Sequence, residues 1–551
     1  MKASMPLGDF LVAYLKRAGV SHIFGLPGDL VLGLFQRFGR DRGLEIVTFS
    51  HEPSVGFAAD GYARSTRRMG VVCVTYGAGG HNVVNPVAGA YAEQVPLLVV
   101  SGGPGEAEQK IAQIHHQVKD VHGQRRIFEE VTCAAQWIAR PELAAEQIHE
   151  VVTRIMTELR PGYLEIHRDL VETKIPVPAA LRDWDGRFPR RKSDGRKLAE
   201  AVQETATRLR GAKRPVLVGG VELFRAGAEG AFRQLAEKLG APVLSTVLAK
   251  GVFPMDHPLH MGIYVGPKSH PAIGKRVRGS DLVLSLGAQR TDLNLGAARP
   301  QIEPAKSVWA SEHRVQISHH QYEEVELRDF VAGLAKAKLP RSTTKVRYFD
   351  NLERRPKAKR SRPLDVNDML VEVDEFLAEA GDMHVVAESG DMLFGGLEVR
   401  NRGRGLYFAQ GYYASMGFAV PAALGAQIGT GIRPLVLCGD GGFQMTGPEI
   451  AHAPRHGLSP IVVLVNNGEW GIFRPVTPRA DLLSIPSWPY AELARAWGGS
   501  GHVAETADEL RDALRAAHQV KRFAVVECRV APGDLSPLGR RYIVQSAKKS
   551  K

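Results

Sequence analysis

A chain of 551 residues with 44% hydrophobic and 24% charged side chains has room for three or four domains, each with its own core. No apolar run approaches the roughly 18 residues of a membrane span, and Asp9, Lys16 and Arg17 interrupt any signal-peptide core, so a cytoplasmic protein without a membrane partner is expected. Much of the net charge of +12 sits in three stretches, 187–196, 354–362 and 548–551, with no interleaved aromatics and no nucleic-acid motif. They read as solvated linkers and a tail, and no nucleic-acid partner is expected.

Helix and strand alternate from the start. Residues 9–18 are amphipathic, 22–25 form a short strand, and GLPGDL leads into a helix from Leu30. A strand over 44–49 is followed by HEPSVGFAADGYAR, a helix with Pro53 in its first turn. Strands over 71–75, 96–101, 131–138 and 163–167, separated by helices, close a first domain at 1–180. The segment 182–196 is polar and charged, as a linker is. A second α/β domain, 190–340, holds the strand VLVGG, 216–220, after Pro215 and further strands at 242–245, 281–286 and 307–310. The basic run 341–363 links it to a third domain, 364–540, laid out like the first. The fold class expected is α/β, with three doubly wound parallel sheets.

The third domain carries the stretch LVLCGDGGFQMTGPEIAHAPRHGLSPIVVLVNNGEWGIFRP, residues 435–475. Two short apolar runs, 435–438 and 461–465, read as buried parallel strands, and 447–456 between them as a helix. Each strand ends in a polar cluster: Gly439-Asp440-Gly441-Gly442 and Asn466-Asn467-Gly468. Ligands of open α/β sheets bind at the carboxyl ends of strands. A carboxylate and an amide oxygen there suit Mg²⁺, which takes oxygen ligands and phosphate. The glycines let backbone approach a diphosphate at a helix start. Read alone, GDG is an ordinary turn with an Asp cap; the ordered set of strand, GDGG, helix, strand and NN is far more specific.

This set resembles the thiamine diphosphate signature of the 2-oxo acid decarboxylases. VGFAADGYAR, NPVAGAYAEQVPLLVVSGGP and GYYASMGFAVPAALGAQ carry the likeness over essentially the whole chain. The resemblance implies thiamine diphosphate and Mg²⁺ as cofactors and a homodimer or homotetramer, with sites shared between chains. It makes Glu52 the acid that hydrogen-bonds the pyrimidine ring, and Asp29, His115 and His116 catalytic proton carriers. Asp440, Asn467 and Glu469 become the metal set. Ser389, Asp391, Ser415, Met416, Gly439, Gly441, Gly442, Trp470 and Gly471 fall among the cofactor-binding positions, with Met416 bending the cofactor. The plainer readings are a helix-start acid for Glu52, a cap for Asp29, surface histidines, and core packing for Met416.

One departure bears on substrate. Pyruvate decarboxylases place a glutamate six residues after the second Asn of NN, where this chain has Phe473. NNGEWGIFRP is similar to the bacterial phenylpyruvate and indolepyruvate decarboxylase branch, which adds Asp292, in LGAQRTDLNLG, as a site residue. The expected substrate is an aromatic or long-chain 2-oxo acid, with Phe473, Met392 and Phe394 lining its pocket. The expected reaction releases CO₂ and an aldehyde without oxidation. The rivals are a carboligase such as acetolactate synthase, a benzoylformate decarboxylase, and an inactive nucleotide-binding scaffold. The order Asp29, His115-His116 argues against the first two, and intact Glu52, Asp440 and Asn467 against the third.

Overall fold

Alternating apolar runs and amphipathic helices bury strands on both faces, and three such sheets form. The computed structural model describes residues 1–110, 113–295, 302–342, 344–356, 362–477 and 479–547; the basic tail 548–551 lies outside them. The first sheet holds β1 (His22–Gly25), β2 (Glu45–Val47), β3 (Gly70–Val74), β4 (Leu97–Gly103), β5 (Ala134–Ile138) and β6 (Gly162–His167). All pair in parallel, in the order β2-β1-β3-β4-β6-β5. Helices α1 (Glu52–Thr66), α2 (Ala78–Asn82) and α3 (Gly123–Val131) follow β2, β3 and the long loop after β4.

The middle sheet departs from the all-parallel expectation. Its strands are β7 (Pro215–Gly219), β8 (Val243–Ser245), β9 (His260–Ile263), β10 (Leu282–Leu286), β11 (Ser307–Ser311), β12 (Arg314–Ile317) and β13 (His320–Glu323), ordered β9-β8-β7-β10-β11-β12-β13. β12 and β13 pair antiparallel as an edge. RVQI and HQYE are short and half-polar, as one-sided edge strands are, so no buried run announces them.

The third sheet holds β14 (His384–Ala387), β15 (Tyr407–Ala409), β16 (Pro434–Gly439), β17 (Ile461–Asn466), β18 (Ser500–Ala504) and β19 (Ala524–Arg529). Its order, β15-β14-β16-β17-β19-β18, repeats that of the first sheet strand for strand. Around it lie α4 (Val366–Ala380), α5 (Asp391–Glu398), α6 (Ala419–Thr430), α7 (Asp440–Thr446) and α8 (Pro537–Ala547). The helix expected over 447–456 is displaced. α7 begins at Asp440 itself, and 3-10 turns at Gly447–His452 and Pro454–His456 follow, where Pro448 and Pro454 each withhold a backbone donor.

The chain packs as two compact units, one of residues 1–190, 417–431 and 445–460, the other of 191–416, 432–444 and 461–551. In the first unit α1 and α6 pack so closely that a Cβ on Gly61 would overlap the Ala422 backbone, and one on Gly425 the Ala58 carbonyl. Phe57 and Phe418 meet edge to face at 5.8 Å beside them.

In the second unit the described arginines of the basic stretch 354–362 are ion-paired. Arg354 and Arg400 both reach Asp374, which is 3% exposed, at 3.0 and 2.8 Å. Arg355 and Arg362 pair with Asp365 and Asp368 at the start of α4. The excess cations of this stretch neutralise acids that the fold buries.

Candidate active site

The first unit gathers Glu52, Asp29, His115 and His116, each in its own way. Glu52 opens α1, with Pro53 in the first turn, and Asn82 Nδ2, from the end of α2, donates to its Oε2 at 2.8 Å. Asp29 lies in the loop after β1 and hydrogen-bonds His115 Nε2 through one oxygen. Its other oxygen accepts from Thr75 Oγ1 at 3.2 Å and lies 3.6 Å from His116 Nε2. Burial works against the Asp29 carboxylate, but the bonds from His115 and Thr75 outweigh it and hold its pKa below the usual range. The paired histidine rings sit 4.7 Å apart, half-exposed.

The second unit gathers its own cluster at the carboxyl ends of β16 and β17. Asp440 is 2% exposed; one oxygen accepts from Gly441 N at 2.8 Å, the other from Gly468 N at 2.7 Å and Asn467 N at 3.1 Å. Burial raises its pKa to about 6, against the pull of those backbone donors, and no cationic side chain pairs with it among the described residues. A Cβ on Gly441 would overlap the Trp470 ring, and one on Gly442 the Glu388 side chain, so the glycines are required by packing as well as by ligand approach. Nothing lies within 4 Å of a Cβ built on Gly439.

These residues fit the implied cofactor. A buried carboxylate lacking a counter-cation, next to the Asn467 amide oxygen, is a donor set for a hard divalent ion. Backbone N–H groups at the start of α7 and open space at Gly439 suit the phosphates the ion would carry. Ser389 Oγ donates to Ser415 O at 2.9 Å, and Gln410 Oε1 accepts from Ser415 N at 2.9 Å, fixing the turn before Met416. Met416 is half-exposed, outside the core.

Other expected residues are placed differently. Met392 and Phe394 are core side chains, 2% and 4% exposed, because α5 is buried from Met392 to Glu398, and Phe394 stacks on Tyr542 of α8 at 4.6 Å. Phe473 is 51% exposed on a 3-10 turn. The Glu469 carboxylate is occupied by Arg474 at 2.6 Å and the Gly533 N–H, and its backbone carbonyl accepts from Gly471 N at 2.8 Å. Asp391 accepts from Ser536 N at 2.8 Å and Oγ at 2.7 Å, a bond that ties α5 to α8. Asp292 is exposed at the start of a four-residue helix, its carbonyl accepting from the Tyr542 hydroxyl at 3.3 Å.

Sequence reasoning passed over Asn82 and Thr75, the residues that orient Glu52 and Asp29. The available signal was the run Thr75-Tyr76-Gly77-Ala78-Gly79-Gly80, which follows β3 as Gly439–Gly442 follows the equivalent strand β16.

Comparison with known proteins agrees with this geometry. Three family models match in order: thiamine pyrophosphate enzyme, N-terminal TPP binding domain, over residues 5–124; its central domain over 202–336; and its C-terminal TPP binding domain over 389–528. The chain belongs to the thiamine pyrophosphate enzyme family. Indole-3-pyruvate decarboxylase of Azospirillum brasilense is 36% identical over 551 residues, covering 98% of each chain, and pyruvate decarboxylase 4 of Arabidopsis thaliana is 32% identical, covering 94% of this chain and 87% of the relative. Within its family the protein is a thiamine diphosphate-dependent 2-oxo acid decarboxylase. The crystal structure of benzoylformate decarboxylase from Polynucleobacter necessarius shares the fold, with a TM-score of 0.80, 21% identity, and coverage of 97% of this chain and all of that one.

Proposed function

We propose that the protein decarboxylates aromatic or long-chain 2-oxo acids, phenylpyruvate and indolepyruvate foremost, to the aldehyde and CO₂. The observation that carries this reading is Phe473, an exposed phenyl ring six residues beyond Asn467, where a carboxylate would favour small polar substrates. The indole-3-pyruvate decarboxylase at 36% identity supports it.

In this reading Asp440, Asn467 and the Glu469 carbonyl hold Mg²⁺, and the Gly439–Gly442 turn holds the diphosphate. Glu52, oriented by Asn82, hydrogen-bonds the pyrimidine. The cofactor, when bound, would supply a nucleophilic carbon and a cationic ring that takes up the electron pair left by CO₂. His115 and His116, aligned on Asp29, hold and deliver the proton that completes the aldehyde, since a ring nitrogen can both accept and donate one. Glu52 and Asp440 lie in separate units, and the family draws the two halves of one site from different chains, so the working form is a homodimer or a tetramer of two dimers. Four free, buried cysteines are in keeping with a reducing, cytoplasmic compartment.

The test compares kcat/KM for phenylpyruvate and pyruvate in the wild type and in Phe473→Glu. Burying the substrate's ring against an apolar wall is worth roughly 1.5–3 kcal/mol, and about 2.7 kcal/mol is roughly a hundredfold in kcat/KM. Phenylpyruvate should lead by about that factor, and Phe473→Glu should shrink the gap. Pyruvate equal to or better than phenylpyruvate in the wild type refutes the proposal.

A further inference from the structure

We infer that Gln124 is a positioning residue that sets, from inside the first sheet, the turn carrying the contacts of both His116 and Glu52. Gln124 is 1% exposed at the start of α3, and both ends of its amide are engaged. Oε1 accepts from Gly77 N at 2.6 Å; Nε2 donates to the Tyr163 hydroxyl at 2.6 Å and to Ser101 Oγ at 3.0 Å. The Tyr163 hydroxyl donates in turn to Glu165 Oε2 at 2.6 Å, and its ring stacks on Phe128 at 4.1 Å, which immobilises it. Glu165 is fully buried, and its Oε1 has no hydrogen-bond partner.

Gly77 is the pivot. Its φ of 68° lies in the left-handed region, and a Cβ there would overlap the backbone and Cβ of His116, itself at φ 70°. Gly80, one turn further on, would overlap the Gln124 amide if it carried a Cβ, and α2 then ends at Asn82, the donor to Glu52. One buried amide thus abuts, through Gly77 and Gly80, the histidine loop on one side and the carboxylate's orienting residue on the other. An apolar side chain of equal volume would fill the space but fix neither. A buried polar network that is fully directional is a device for holding one geometry. The inference rests on Glu52 and His116 handling protons; the placement of Gly77 by Gln124 does not.

Three full-length variants test it: Gln124→Met, Gln124→Glu, and Gln124→Glu combined with Glu165→Gln. Gln124→Met should lower kcat about ten- to a hundredfold, as small misplacements of catalytic groups do, with KM within about twofold. It should also shift the His116 ring resonance in the cofactor-free protein. In Gln124→Glu two buried carboxyls compete for one proton, faced by Tyr163 on the same strand, Tyr76 from the turn after β3 and Arg125 from α3. Its activity should survive at acid pH and fall away as pH rises, earlier than in the wild type. The double variant restores one carboxyl and one amide in exchanged positions and should recover most of kcat and the wild-type pH profile. If Gln124→Met does not fold, the pH profile and its recovery decide. An unmoved His116 resonance, or a folded double variant no better than Gln124→Glu, overturns the inference. A moved resonance with unchanged kcat keeps the placement and removes the proton-handling role.

Discussion

Asn82 Nδ2 donates to Glu52 Oε2 across 2.8 Å, and among the described residues nothing hydrogen-bonds the second carboxyl oxygen at the head of α1. Glu52→Gln should therefore still take up thiamine diphosphate but lose exchange of the cofactor C2 proton by about two to four orders of magnitude, the usual span of acid–base assistance. Asn82→Leu, which frees the carboxylate without removing it, should lose less. Proton exchange followed by NMR measures both, and unchanged exchange in Glu52→Gln removes it from the mechanism.

Asp440 is a buried acid with no cationic partner among the described residues. Asp440→Ala should abolish saturable uptake of thiamine diphosphate with Mg²⁺, followed by quenching of tryptophan fluorescence, while the circular dichroism spectrum stays that of the wild type. Cofactor affinity within a few-fold of the wild type would disprove the metal assignment.

The α1–α6 interface is closed by glycine. Gly425→Ala places a methyl group on the Ala58 carbonyl and should destabilise the protein by about 1–3 kcal/mol, as overpacking does. Urea denaturation measures it; no loss would mean that the helices have room to move apart.

Lys250 is 2% exposed, bonded to Asn401 Oδ1 at 2.5 Å and 4.5 Å from the centre of the Tyr407 ring. Burial drives its pKa down to about 7, although Asp374 and Glu398 pull it up. A folded pKa below that of the unfolded chain means that the unfolded state binds more protons between about pH 7 and the ordinary lysine value. Stability should then rise with pH through that window. Lys250→Met removes the burden and forfeits one hydrogen bond. Its stability relative to wild type should be greatest at pH 7 and below, by about 1–3 kcal/mol, and the advantage should fade toward pH 10. Denaturation curves at pH 6.5 and 9.5 check the sign; a gap that widens with pH refutes it.

The sequence was most legible where one local pattern dictated one structure. Val and Leu runs ending in glycine and an acid give β16 and the Asp440 turn without help from the rest of the chain. The repeated strand order of the first and third sheets follows from their shared alternation. Legibility failed where the partner of a residue was remote. Nothing near Phe394 says that Tyr542 of α8, some 150 residues on, stacks against it. Nothing near 354–362 says that its arginines answer acids in α4 and at Asp374. Asn82 and Thr75 are ordinary polar residues until the turn after β3 brings them to Glu52 and Asp29.

The glycine contact between α1 and α6 also bears on the order of synthesis. From Ser54 to Ala63, α1 is buried on every side, and part of that cover is α6, about 360 residues later in the chain. At about 5–20 residues per second a ribosome needs roughly 20–70 s to make the interval. Throughout it the nascent first domain presents an apolar helix with a missing neighbour. The domain that emerges first is therefore among the last to be finished, and a chaperone that shields 54–63 during translation would cover a surface that stays open until α6 is made.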